Sequence, residues 1–575
     1  MDRRVFLAVI LTAIVIVVTP LLFPGSRPPV SQDSAGADSG YVAGVRDSTP
    51  RLTPGSSAVT ASASPTASIA PAAPAPGTQV VIGDSISVTS PHMTVWYGTD
   101  VAAPFRVALT DYASREPAKD GGRVQLRTVQ PTALLGYRVT LGDSALDLTG
   151  VKFSATTTGG AQPTGVTFRG AVEGHPVSID YGSPTQNADR YLVHVLVDIG
   201  GAPEKGQLTI TLPGSLVSQE SDTTDDIRHL AFGYKAAGGD ISSLPFTKLD
   251  SGQTKGVAGP MEWVVVRNKY FLFALISPDS SIAGATFTGA PRVAKLAPEA
   301  GASVVLPLRN GRAAFDVYMG PQEYERLRSL GHGLDRVNPY AGWLHGVVQP
   351  FATVVTRVLL WMKSTSGLGY GWVIVIFGVV VRLLLWPLNQ TAMRTSIRMQ
   401  RLQPELAEVQ KKYKNEPEKQ RDALVKLYAA HGMTPFSPMM GCLPMMIPMP
   451  ILFALYFVFL NTIEFRGVSF LWMHDISAAD PYYITPLVMG LSMFALSWIG
   501  MRGTPPTPQT RMMSYMMPVV LTFMFLRFAA GLNLYYAVQN LAALPQQWLL
   551  ARERAGLSKG GGGGNGGAIT ARGKT

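Results

Sequence analysis

Five long apolar runs crowd the last third of this chain: Tyr370–Leu388, Met439–Leu460, Tyr482–Met501, Met512–Phe528 and Leu532–Leu550. Each is close to the roughly 20 residues a helix needs to cross a hydrocarbon core. A chain with five such runs must bury them against lipid or against one another. A sixth run, Val5 to Phe23, holds 19 residues without a charge and follows Arg3 and Arg4. A cleaved signal peptide would have a shorter apolar region and an Ala-x-Ala-like end. This run ends in "LLFPGSRPP", so residues 1–24 are predicted to be an uncleaved transmembrane anchor.

Only 15% of residues are charged and 46% are hydrophobic. That balance suits a chain partly solvated by lipid. The net charge of +11 is compatible with nucleic acid, anionic lipid or membrane topology. Its distribution decides between them. The loop Asn389–Pro438 holds nine Lys/Arg against five Asp/Glu, whereas Asn461–Pro481 holds one Arg against three acids. Arg502 and Arg511 face no acid, and the tail has five Lys/Arg and one Glu. Positive residues thus fall in alternate loops, which predicts six crossings with both termini on the cytoplasmic side. No nucleic-acid-specific site is expected.

Between the anchor and the apolar runs the character changes twice. Residues 25–79 are rich in Pro, Ala, Ser, Thr and Gly and are predicted to be a disordered linker. Residues 80–330 alternate apolar and polar positions in stretches such as "GQLTITLPG", "RYLVHVLVDIG" and "KYFLFALIS", separated by turn residues. That pattern predicts a large antiparallel β-sandwich outside the membrane. Residues 331–369 include "YAGWLHGVVQPFATVVTRVLLWMK", expected to be an amphipathic helix in the interface. The segment 391–435 has apolar residues at helical spacing on either side of "KNEPEK" and is predicted to be a cytoplasmic helical hairpin. The rest, 370–554, forms the predicted five-helix core, and 555–575 a disordered basic, Gly-rich tail.

Inside the first of the five runs stands Arg382. A guanidinium keeps its proton, so it enters the bilayer charged, and that is costly unless a bundle turns it inward. Gly378, Arg382, Trp386 and Gln390 share one helical face. The last run carries a matching polar stripe of Asn533, Tyr536, Asn540 and Gln547, flanked by Gln539 and Gln546. A bundle facing this stripe toward Arg382 would enclose a polar cavity, with Gly378 and Asn540 reached by water. The competing reading is that these groups bond one another as packing glue. No acid lies in the five runs to neutralise Arg382, so the charge is expected to serve a visiting acidic segment. Eighteen of 22 Met follow Gly331, clustered in "PMMGCLPMMIPMP" and "RMMSYMMP", as on promiscuous apolar binding surfaces.

Catalytic signatures are missing: there is no Walker loop, no His-Glu-x-x-His, no Gly-x-Ser-x-Gly and no Cys-x-x-Cys. The single Cys442 excludes an intramolecular disulfide. No enzyme activity, metal or cofactor is expected.

The motifs "VVVRLLLWPL", "MRTSIRMQRLQPELAEVQ", "GCLPMMIPMPILFALY", "FLWMHDISAADPYYITPLVMG", "GLNLYYAVQNLAALPQQ" and "YMGPQEYERL" resemble those of the YidC family of membrane protein insertases in its Gram-negative form. The resemblance implies a polytopic α-helical membrane protein of the bacterial inner membrane. It would have an N-terminal anchor helix, a five-helix core and a periplasmic β-sandwich of galactose-mutarotase type. It further implies a hydrophilic groove open to cytoplasm and lipid, with Arg382 as the groove arginine and Tyr536 as the groove tyrosine. The family's groove threonine, four residues before that arginine, is Gly378 here. The partners implied are nascent membrane proteins, the Sec translocon, membrane lipids and, through the basic tail and loops, the ribosome. A small-solute transporter and a membrane-anchored carbohydrate-binding protein are the rival readings. The first should show internal repeats and the second clustered carboxylates beside aromatics, and neither pattern is present.

Overall fold

Alternation along residues 80–330 becomes antiparallel strands. In Leu192–Ile199, Val193, Val195 and Val197 are buried while His194 and Leu196 between them face outward. This is the period of two expected of a strand with one face on a core. The structure is a computed structural model describing residues 84–116, 122–130, 132–160, 163–182, 190–203, 206–338, 345–387, 389–390, 402, 405–414, 416–431, 449–502 and 508–560. All of them lie in the unit Ile69–Thr575. The predicted anchor and linker fall outside the described residues. So do Cys442, most of the first methionine cluster and most of the tail.

A four-stranded sheet (Ser85–Thr89, Met93–Gly98, Ala103–Ala113, Arg123–Leu126) accompanies a 14-stranded one. Every pairing in both is antiparallel. The larger sheet changes partners along the long strand Thr254–Arg267. Its first half pairs with Ile282–Gly289 and its second half with Phe271–Ile276, and its register shifts between Ala258 and Met261. Gly259 sits at that corner, where a Cβ would meet the Ile282 carbonyl oxygen at 2.1 Å. Buried tyrosines tie the layers together. The Tyr137 and Tyr181 hydroxyls lie 2.7 Å apart, and Tyr181 donates to the Ala102 carbonyl at 2.8 Å. One apolar core includes residues of both sheets.

The helices used below are α1 (Thr223–Arg228), α2 (Tyr324–Leu330), α3 (His345–Ser366), α4 (Tyr370–Leu384), α5 (Pro417–Ala430), α6 (Met449–Asn461), α7 (Ile484–Gly500), α8 (Pro508–Phe525) and α9 (Ala530–Gly560). Helix α3 buries Val348, Ala352, Val355 and Leu359, spaced by four and three, and packs on α6. Phe351, Val354 and Trp361 on the same helix stay exposed. The chain then bends by 118° into α4, through Gly367 in the left-handed region. A second core joins Val373, Ile374 and Phe377 of α4 to Leu455, Val458 and Phe459 of α6, with Leu532 and Tyr535 of α9.

Among the described residues no single helix is long and apolar enough to cross a membrane. Only the bent pair Val348–Ser366 and Tyr370–Leu384 reaches that length and composition together. This differs from the predicted spans for local reasons. Helix α4 stops at Leu384 and the chain turns at Leu385, short of the expected Leu388. Helix α9 is long, at 31 residues, but its second half is polar. The helices nevertheless expose a large apolar surface: Trp372, Val380 and Leu384 on α4, Leu491 on α7 and Phe523 on α8 are all exposed. A water-facing surface rarely carries so many.

The loop between α6 and α7 docks into the β-sandwich. Ile463 joins the sandwich core. The Arg466 side chain is 4% exposed and donates through Nε to Glu220 at 2.7 Å, through Nη1 to the Ala113 carbonyl at 2.9 Å and through Nη2 to the Gln219 carbonyl at 3.3 Å. Arg115 pairs with Asp475 at 2.5 Å. Just beyond the sandwich, the Tyr324 amide donates to Glu464 at 3.1 Å, and Arg357 of α3 donates to the Tyr324 hydroxyl at 2.7 Å.

Candidate functional site

The site lies on the seam between α4 and α9. Gly378 makes the seam tight. A Cβ at that position would lie 3.0 Å from Val538 Cγ1 of α9. Gln539 uses the close approach. Its amide donates to the Gly378 carbonyl at 2.8 Å and to the Tyr535 hydroxyl at 3.0 Å. One turn along α4, Arg382 is half-buried and its Nη2 donates to Gln546 Oε1 at 2.6 Å. Gln546 is 2% exposed, and its own amide donates to the Trp386 carbonyl at 3.2 Å. That bond ties α9 to the chain just past the end of α4. Arg382 Nε is buried without a protein partner. Among the described residues no carboxylate pairs with this guanidinium.

Four predicted site residues therefore come together: Gly378, Arg382, Trp386 and Gln539. The other three do not, and this corrects the predicted stripe. Asn540 faces α7, donating to Ser492 Oγ at 3.1 Å and to the Met489 carbonyl at 3.4 Å. Asn533 is fully buried and donates to the Phe525 carbonyl at the end of α8 at 3.1 Å, capping that helix. The Tyr536 ring meets Phe525 edge-on at 5.6 Å. The reason is angular. Neighbouring positions on a helix point about 100° apart, so Gln539 and Gln546 face α4 while Asn540 and Gln547 face α7. For Asn533 and Asn540 the packing-glue reading fits. Gly378 also corrects the expectation of a water-reached face, because it is buried against α9. Gln546, which flanks the predicted stripe, and Tyr535, which lies outside it, complete the seam. The seven-residue spacing from Gln539 to Gln546 was the available signal.

Two family models match the chain. Residues 361–556 match the 60Kd inner membrane protein family, and residues 86–354 match the YidC periplasmic domain. Together they cover well over half of the sequence, including every residue of the seam. The chain belongs to the YidC family. A YidC membrane protein insertase of Geobacter metallireducens is 29% identical over 572 residues, 95% of this chain and 98% of that one. Another, from Syntrophus aciditrophicus, is 30% identical over 316 residues, 55% of this chain and 56% of its own. A crystal structure of an active YidC insertase with its first transmembrane domain resolved is similar at 19% identity and a TM-score of 0.32, covering 82% of this chain and 94% of that one. As a YidC-family member the chain is an inner-membrane protein with a periplasmic domain, and the periplasmic model falls on the β-sandwich.

Proposed function

We propose that this chain is a membrane protein insertase and chaperone that receives nascent membrane proteins at the α4–α9 seam and releases their apolar segments to lipid. One observation carries the site: Arg382 is a half-buried cation whose protein partner is a neutral amide. A charge left without an acid in a low-dielectric setting attracts an anionic group strongly. An acidic segment drawn to Arg382 would have a shorter apolar distance to cross. The exposed apolar faces of α4, α7 and α8 would then guide the following apolar segment into the bilayer. No covalent bond is made or broken in this cycle, and it needs no cofactor or metal.

The same reading includes six crossings, made by the N-terminal anchor and five core helices that lengthen in lipid. Both termini lie in the cytoplasm, as the loop charges support. Helix α5 belongs to the cytoplasmic hairpin, where His431 lies 3.7 Å from Glu405 on the opposite arm. Insertion proceeds alone or with the Sec translocon, and the basic tail and loops meet the ribosome.

The test is photocrosslinking of a ribosome-stalled nascent chain from photoreactive residues placed at Trp386 and Tyr536. Crosslinks from position 386 are expected, and weaker ones from 536, which faces α8. Crosslinks confined to the β-sandwich, with none from 386, would overturn the groove.

A further inference from the structure

We infer that Gln546 is a gate on Arg382, a positioning residue that keeps neutral segments off the guanidinium and yields to carboxylates. This rests on the proposed groove. Three observations carry it. The Arg382 Nη2–Gln546 Oε1 bond is short at 2.6 Å, and Gln546 is almost fully buried. The Gln546 amide is fastened at its other end to the Trp386 carbonyl, so the side chain is held by both its polar atoms. Arg382 Nε, buried, has no acceptor.

Nε–H and one Nη–H of a guanidinium form a planar fork that fits the two oxygens of a carboxylate. In this chain half of that fork is taken by an amide oxygen and half is unsatisfied. A passing peptide or side-chain amide offers Arg382 nothing better than Gln546 already does. A carboxylate offers a charge-assisted, two-pronged contact that satisfies Nε as well, and such bonds are roughly twice as strong as neutral ones. Exchange therefore favours acidic passengers, and the gate turns a general attraction into a choice. Gln546 can swing away at the cost of its bonds to Arg382 and to the Trp386 carbonyl, and an incoming carboxylate replaces the first of these at the guanidinium.

The experiment uses the full chain reconstituted in vesicles. It compares insertion of one substrate carrying either Asp/Glu or Asn/Gln in its translocated tail, and the readout is the acidic-to-neutral ratio. Gln546→Glu places a permanent carboxylate on the fork and should lower that ratio by roughly tenfold, the scale of one hydrogen bond to a charged group. Gln546→Met keeps the length but removes the acceptor. It should raise insertion of the neutral tail toward that of the acidic one. A merely structural role for Gln546 would change both tails equally, which would overturn the gate. Arg382→Ala is run alongside. If it lowers the ratio while both Gln546 variants keep the wild-type ratio, the gate is wrong and the groove stands. If Arg382→Ala leaves the ratio unchanged, the groove itself is wrong and the gate falls with it.

Discussion

Arg382 shows how one residue can be placed by cost. A guanidinium in an apolar helix must meet polar groups, and it meets the amide of Gln546 rather than an acid. Arg382→Ala should therefore fold, since it orphans only a neutral amide, yet reduce insertion of substrates with acidic tails by tenfold or so. Arg382→Lys should keep much of the activity because the charge remains, although the planar fork is lost. Insertion assays in vesicles check both, and equal insertion by Ala and wild type would remove the electrostatic role. Gly378 makes a second, steric point. With Val538 Cγ1 only 3.0 Å from a hypothetical Cβ, Gly378→Ala asks for a small shift, whereas Gly378→Leu must push α4 off α9. Overpacking of this kind costs about 1–3 kcal/mol. Thermal unfolding in detergent should show a clear loss for Leu and little for Ala. The sequence made Arg382 legible because a lone charge in an apolar run is conspicuous. It did not reveal which face of α9 meets it, because periodicity groups residues by face without naming the neighbour that face will find.

At the scale of elements, the contact between α2 and the α6–α7 loop carries a titrating group. Glu464 is buried, accepts from the Tyr324 amide through Oε1, and leaves Oε2 without a protein partner. Burial, first, and the nearby carboxylates of Glu323 and Glu325 push its carboxyl up from the ordinary 4.5 to about 7. Glu323 is itself held by the Tyr112 hydroxyl and by Arg326. Because the folded value lies above the unfolded one, folding favours the protonated form. Its contribution is fully present below about pH 4.5 and is lost as pH rises to about 7, beyond which stability levels off. The gap corresponds to on the order of 3 kcal/mol. Glu464→Gln mimics the protonated carboxyl at every pH. Its unfolding temperature should match the wild type near pH 4.5, exceed it increasingly up to pH 7, and keep a constant lead above that. A lead that is the same at all pH values would mean Glu464 does not titrate in this window. The elements themselves were largely readable, since alternation in Leu192–Ile199 gives both the strand and its buried face. Helix ends were less so. In the apolar run beginning at Tyr370 only Pro387 marks the turn at Leu385 that ends α4, and it leaves the exact end open by a residue or two.

At the scale of the whole molecule, the three acids and one arginine of the α6–α7 loop first suggested only a side of the membrane. In the fold Arg466 and Asp475 do something more specific, fastening the helical region to the sandwich, while Asp480 accepts from Tyr482 and Thr485 at the start of α7. Pattern reading could not have shown this, because the partners of Arg466 and Asp475 lie hundreds of residues earlier, at Glu220 and Arg115. The Arg466–Glu220 pair is nearly buried, with 4% and 12% of the side chains exposed. Removing one partner of such a pair leaves an uncompensated charge and costs about 3–5 kcal/mol, whereas removing both is often close to neutral. Arg466→Met should thus loosen the loop, seen as faster proteolysis within residues 462–480 and a lower unfolding temperature in detergent. Glu220→Met should do the same, and the double variant should recover a large part of the loss, the non-additivity expected of residues in direct contact. If the two single variants and the double all resist protease like the wild type, the docking rests on Ile463 and the apolar core rather than on the ion pair. Insertion measured in the same set then tests how the two halves work together. The α4–α9 seam contains no residue of the sandwich, so a loosened loop should leave the acidic-to-neutral insertion ratio unchanged even where stability falls. A changed ratio would mean that the sandwich, through this loop, sets the position of the helices that hold Arg382.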